Sequence, residues 1–238
     1  MAVPWALVLC GPSGSGKSTL IGRLFKDFPG IFSFSVSHTT RQPRQGELPG
    51  RHYHFSNKEV MKAAIAGGEF LEWAEFSGNM YGTSKKAVEE VMASGKICVL
   101  DIDTQGVRQV KEKGLAALYV FVKPPSLAEL ERRLRDRNTE TEVSLQRRLT
   151  IANHEMEYGA APGNFDLVVV NDDLERAYAE LKDFVVREME KRGAETQPAL
   201  EVKPVRRAMP IGHRESALTA QAVELPGAKP TPACFGPF

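Results

Sequence analysis

The chain has 238 residues, 42% of them hydrophobic and 26% charged, with 31 basic and 30 acidic side chains. That length can bury a full core, and a formal charge of +1 leaves no global field to recruit nucleic acid or an anionic membrane surface, so any affinity for anions must come from local clusters. The three cysteines have no metal-ligand spacing, and the apolar run near the start is too short for a membrane span or a signal-peptide core. The expectation is a cytoplasmic protein without a disulfide framework.

In chain order, "WALVLC" (Trp5–Cys10) reads as a strand covered on both faces, because it is almost continuously apolar, and the later runs Lys96–Asp103, Ala117–Val122 and Phe165–Val170 read the same way. An amphipathic helix follows at Lys17–Phe28. The stretch from about 33 to 83 breaks the rhythm with "RHYHF", a short helix and "EFLEWAEF" (Glu69–Phe76), and it reads as a small strand-rich insertion. Strand and helix then alternate: Lys96–Asp103, Gln105–Lys113, Ala117–Val122, Ser126–Arg137, Phe165–Val170 and Leu174–Lys191. Proline and serine open "PPSLAELERRL", as suits a helix N-terminus. Such alternation predicts an α/β fold, a parallel sheet with helices on both faces. Seven of the fifteen prolines fall in 193–238, whose only aromatics are Phe235 and Phe238. That segment is expected to be a disordered Pro/Ala-rich tail behind a domain of residues 1–192.

Between the first strand and the first helix lies "GPSGSGKS" (Gly11–Ser18), which fits G-x-x-x-x-G-K-[ST]. Glycines let the backbone wrap with its N–H groups inward, and the helix N-terminus adds partial positive charge. Lys17 can reach β- and γ-phosphates, and Ser18 can ligate Mg²⁺. Gly11, Pro12, Ser13, Gly14, Ser15, Gly16, Lys17, Ser18 and Thr19 are therefore candidate ATP-binding residues in a P-loop fold. A chance glycine turn would not be set between a buried strand and a helix. "ICVLDID" adds Asp101 and Asp103 at a strand end, either of which could orient water around Mg²⁺; Asp101 is the candidate metal residue, through water.

"SHTTRQPRQGE" (Ser37–Glu47) holds Arg41 and Arg44, whose guanidinium groups suit bidentate recognition of a second phosphate. Tyr53 and Tyr81 could add hydroxyl donors. An isolated R-x-x-R would be an ordinary solvated loop, but here Glu72 lies in a strand-like run where an unpaired buried carboxylate is costly. Tyr81, Gly82 and Thr83 follow. A carboxylate can accept both donors on the Watson–Crick edge of guanine while repelling N1 of adenine, and hydroxyls can satisfy O6. "HYH" offers no third ligand, so no metal is expected there.

The stretch from about Pro4 to Lys191 resembles guanylate kinase, particularly its eukaryotic cytosolic form. The resemblance runs through "GPSGSGKSTL", "FSVSHTTRQPRQGE", "EWAEFSGNMYGTS", "DIDTQGV", "RNTETE" and "VVNDDLERAYAEL". It implies a core, a GMP-binding insertion at about 33–83 and a mobile lid at about 126–156. It also implies that Ser37, Glu72, Thr83 and Asp103 read the base, with Asp101 close by. Arg41, Arg44, Tyr53 and Tyr81 would hold the GMP phosphate, and Asn171 would contact adenine.

A phosphate acceptor has a second pKa of about 6, so it needs no general base. What it needs is positive charge around two repelling anions. Lys17, Arg44, Arg137 and Arg148 are the candidate catalytic cations, the last two flanking a polar segment between lid helices. The expected partners are ATP and GMP or dGMP, with no nucleic acid and no membrane, and the chain is expected to be a monomer. The alternatives are a non-catalytic guanylate-kinase-like interaction module, which should lack the loop or the arginines, and a P-loop kinase for another acceptor, which Glu72 argues against.

Overall fold

The structure, a computed structural model, describes residues 5–44, 46–76, 78–136 and 141–193. Arg137 and residues 194–238 lie outside the described residues.

The central sheet is parallel throughout, in the order β2-β7-β1-β8-β9, built from β1 (Ala6–Cys10), β2 (Phe32–Phe34), β7 (Ile97–Asp101), β8 (Ala117–Lys123) and β9 (Leu167–Val170). β1 is the middle strand, and all five of its residues are buried, as its unbroken apolar run requires. Side-chain alternation splits the core into two layers. Leu7, Leu9, Val99, Val120 and Val122 face α1 (Lys17–Asp27) and α7 (Leu174–Lys191). Val8, Cys10, Leu100 and Phe121 face α3 (Lys85–Ala93), α4 (Thr104–Glu112) and α6 (Glu142–Ala160).

Every helix but α1 begins where a polar side chain takes up an orphan backbone donor, each cap contributing about 1 kcal/mol. Ser84 accepts from the Ala87 N–H, Asp103 from Gly106, and Asp173 from Arg176. Ser126 does the same for Glu129 at the start of α5 (Leu127–Asp136), as the proline–serine opening predicts. Thr141 and Ser144 form a reciprocal capping box on α6.

Two expectations need correction. Phe165–Val170 is not covered on both faces: β9 is an edge strand, and Val168 and Val170 are each 36% exposed. β2 straddles the expected start of the insertion at about residue 33, yet it pairs with β7 in the central sheet. Three residues are too few to show a period, so this strand is invisible to patterning. The second sheet begins later, in the order β4-β3-β6-β5, with β3 (His38–Thr39), β4 (His54–Phe55), β5 (Phe70–Phe76) and β6 (Asn79–Ser84). α2 (Lys58–Ala66) packs on it, burying Met61 against Phe70 and Met80.

Candidate active site

The loop after β1 is shaped by close contacts. A Cβ on Gly11 would stand 2.0 Å from the Val122 carbonyl oxygen, and one on Gly16 would stand 2.1 Å from Asn171 Nδ2. Gly16 also has a φ of 98°, in the left-handed region. The Asn171 amide donates to the Ser15 carbonyl at 2.7 Å, and the Asn171 carbonyl accepts from Arg133 Nη2. Buried Asn171 thus ties the end of β9 to the loop. Helix α1 starts at Gly16 without a side-chain cap, unlike α3, α4, α6 and α7. Its first N–H groups therefore face the loop interior with no side-chain acceptor, the condition for holding an anion. Pro12 and Ser15 are buried, Ser13, Gly14 and Ser18 are half-buried, and Thr19 is exposed.

Lys17 is buried, with Nζ donating to the Gly11 carbonyl at 2.6 Å and lying 3.7 Å from Asp101 Oδ1. Burial raises the Asp101 carboxyl above its usual range, against the pull of the Lys17 charge. Asp101 thus lies against the lysine of the glycine loop. Asp103 spends one oxygen as the cap of α4, on the Gly106 N–H at 2.7 Å, and its charge acts on Glu72. From α6, Arg148 Nη1 donates to Ser13 Oγ at 2.8 Å. Arg148, Ile151 and Glu155, on one face of α6, close with Ser13 and Phe76 on a space of about 30 Å³.

The second sheet assembles the other group. Thr39 pairs with Tyr81, and His38 with Gly82, across β3 and β6. Tyr53 and Tyr81 are buried with ring centroids 6.3 Å apart, and the Arg41 guanidinium lies 5.4 Å from the Tyr53 ring. Burial pushes the Tyr53 hydroxyl up to about 12, keeping it a neutral donor. Ser37 leads into β3 and accepts the His54 N–H through its carbonyl. Gly82 sits where a Cβ would be 2.7 Å from the Glu72 carbonyl oxygen and 2.8 Å from the Phe70 ring, so its missing side chain is what lets β5 and β6 meet. Glu72 pairs in register with Thr83 and is only 6% exposed. Desolvation pushes its carboxyl up to about 7, opposed by hydrogen bonding to Thr83. Arg44 is not gathered in with Arg41 and the tyrosines; it is exposed on its loop. Of "HYH", the His54 ring lies 4.7 Å from that of His38, tilted by 31°, and His52 Nδ1 accepts the Leu48 N–H. Among the described residues no group of three or more His, Cys, Asp or Glu could hold a metal.

Two residues at the site escaped sequence reasoning. Glu47 accepts from Arg41 Nη2 at 2.9 Å and from the Arg44 N–H at 2.7 Å, so it holds both halves of the R-x-x-R loop. Its spacing of three from Arg44, closing a turn in which the Glu47 N–H bonds the Arg44 carbonyl, was the available signal. Glu155 is 8% exposed, its carboxyl pushed up to about 7 by burial and acted on by the charges of Lys17 and Asp103. Seven residues beyond Arg148, it lies two turns along the same helix face.

A parallel α/β sheet with a glycine loop leading into an uncapped helix at its centre, and a second sheet bearing a buried carboxylate beside an arginine loop, defines a nucleotide-binding protein of the P-loop class. The guanylate kinase family model matches residues 4–188. The chain is 56% identical over 191 residues to a human guanylate kinase, covering 80% of this chain and 97% of that one. It is 54% identical over 176 residues to a guanylate kinase of Schizosaccharomyces pombe, covering 74% and 87%. A guanylate kinase structure from Anaplasma phagocytophilum superposes with a TM-score of 0.59 at 31% identity, over 79% of this chain and 87% of that one. The chain belongs to the guanylate kinase family.

Proposed function

We propose that the chain transfers the γ-phosphoryl group of ATP to the phosphate of GMP, giving ADP and GDP. The observation that carries this reading is Glu72: a carboxylate buried beside Thr83 in the second sheet is a costly feature unless a ligand with paired donors meets it. The identity to guanylate kinases over most of the chain supports the same activity. dGMP carries the same base and phosphate and is an acceptor too. The non-catalytic alternative is not favoured, because the loop, Lys17 and the arginines are all present.

Reactions of this family use a divalent cation, and we take it to be Mg²⁺. The Ser18 hydroxyl and the Asp101 carboxylate beside the loop are hard oxygen donors, the set Mg²⁺ accepts along with water and phosphate oxygens. When bound, the ion neutralises charge on the β- and γ-phosphates. The chain's own residues do the rest. The glycine loop and the first N–H groups of α1 cradle the donor phosphates, and Lys17 is the mobile cation for their outer oxygens. Arg41, oriented by Glu47 and backed by Tyr53 and Tyr81, holds the acceptor phosphate, with Arg44 free to close onto it from the exposed loop. Glu72 and Thr83 read the base, with Ser37 and Asp103 beside them. Arg148 brings lid charge to the transferring group, with Arg137 in the same role, and Asn171 reaches toward adenine. Closing α6 onto the loop removes water that would compete as acceptor. No described helix is long and apolar enough to cross a membrane. We take the protein to act as a cytoplasmic monomer.

The test is ADP formation from ATP with GMP, dGMP, AMP, CMP and UMP in parallel. Strong preference for the guanine nucleotides is expected; equal rates with AMP would overturn the reading.

A further inference from the structure

β5 is the edge strand of the second sheet, so one row of its backbone groups has no strand partner. Two side chains of the core domain take that place. Gln109 Oε1 accepts the Trp73 N–H at 3.1 Å, and Gln109 Nε2 donates to the Trp73 carbonyl at 2.9 Å, the two-way exchange a neighbouring strand would make. Lys113 Nζ donates to the carbonyls of Phe70 at 2.9 Å and Leu71 at 2.8 Å. The gripped positions, 70, 71 and 73, bracket Glu72.

The same helix forms a wall behind the Glu72 carboxylate. A Cβ on Gly106 would stand 3.1 Å from Glu72 Oε2, so the carboxylate lies directly against α4. Positions 106, 109 and 113 are spaced by three and four, which puts them on one face of the helix and its C-terminal cap. Covering an edge strand needs only charge or a loop. A bidentate amide and a two-carbonyl ammonium, placed on either side of one buried carboxylate, do more: they leave its backbone little freedom to shift.

We propose that Gln109 and Lys113 are positioning residues for base selection, locking the β5 backbone on both sides of Glu72 onto α4 and so fixing where the carboxylate meets the acceptor base. The inference rests on Glu72 as the reader of guanine. A carboxylate that must accept from both N1 and the exocyclic amine tolerates little displacement, and misplacement of about 1 Å can cost up to about a hundredfold. Neither side chain bonds the P-loop in this structure, so the donor site should not feel the change.

IMP is the discriminating probe, because it keeps N1–H and lacks the exocyclic amine. Steady-state kinetics with GMP and IMP at saturating ATP would be measured for the wild type, Gln109→Ala, Lys113→Arg and the double variant Gln109→Ala/Lys113→Met. In the double variant kcat/KM for GMP should fall about tenfold or more, mainly through KM, while IMP falls less and the GMP/IMP ratio shrinks severalfold. KM for ATP should stay constant, and Lys113→Arg, which still donates to two carbonyls, should keep most of the selectivity. A GMP/IMP ratio unchanged in the folded double variant, even with a lower Tm, would reduce the pair to edge cover and overturn the proposal. Should the double variant not fold, the ratio for Gln109→Ala decides in the same way. A wild type indifferent between GMP and IMP would fell the reading of Glu72 itself, and this inference with it.

Discussion

Glu72→Gln should make the protein more stable and much less active, and the two effects have separate physical origins. Glu72 is buried, and desolvation moves its carboxyl from 4.5 to about 7. At about 1.4 kcal/mol per pKa unit, holding it ionised costs the folded state about 3 kcal/mol. The raised acid means the folded state binds its proton more tightly than the unfolded chain does. The cost is therefore absent below the unfolded pKa, grows as pH rises, and is complete above about 7. Glutamine keeps the shape and a hydrogen bond for Thr83 without the charge. Chemical denaturation of both proteins at pH 8 should find Glu72→Gln more stable by up to about 3 kcal/mol, and at pH 5 most of that gain should vanish. With GMP the glutamine NH₂ opposes a guanine donor, and losing a charge-assisted bond while leaving a group unsatisfied costs about 3 kcal/mol or more, roughly a hundredfold in kcat/KM. AMP turnover should rise relative to GMP. A variant that gains no stability at pH 8 relative to pH 5, or keeps its GMP/AMP preference, would refute the argument.

Lys17→Ala should lower kcat by at least about a hundredfold while circular dichroism stays native-like, because the ammonium bonds loop carbonyls and pairs with Asp101 rather than bridging core elements; near-normal turnover would contradict its role. Glu47→Gln should raise KM for GMP about tenfold with KM for ATP unchanged, since it breaks the ion pair that aims Arg41. The Arg41 hydrogen bond holds the Glu47 carboxyl below its usual range, so this contribution is present at neutral pH and lost only as pH falls through that lowered value. Gly159→Ala sets two effects against each other: alanine gains about 1 kcal/mol of helix propensity, but its Cβ would fall 2.2 Å from the fully buried Phe121 ring. Overpacking costs about 1–3 kcal/mol and should win, so thermal melting should show a lower Tm.

Strands β1, β7, β8 and β9, helices α1, α4, α5 and α7, and the phosphate loop were legible in the sequence because each is a local pattern. β1 is apolar without interruption, α7 begins and ends at the predicted residues, and the loop's glycines are demanded by the very contacts that shape it. The resemblance carried Glu72, Thr83, Arg41 and Tyr81 into one site before any distance was known; in the structure Glu72 on β5 pairs with Thr83 on β6, Tyr81 on β6 pairs with Thr39 on β3, and Arg41 lies in the loop two residues beyond β3. Most of what the sequence could not disclose depended on pairings between residues far apart. β2 is three residues of strand given meaning only by β7; the exposure of β9 follows from its being last in the sheet order, which no local pattern encodes. Glu47 looked like one more charge on a solvated loop until the turn folded it under Arg41, and Glu155 like one more polar residue on a lid helix until that helix lay across the P-loop. Gln109 and Lys113 sit on an amphipathic helix where polar residues read as solvent-facing. Only the docking of β5 against α4, 36 to 43 residues away in the chain, turns them into partners for a strand edge, because hydrogen-bonding capacity is a property of the residue whereas its use is a property of what the fold places opposite it.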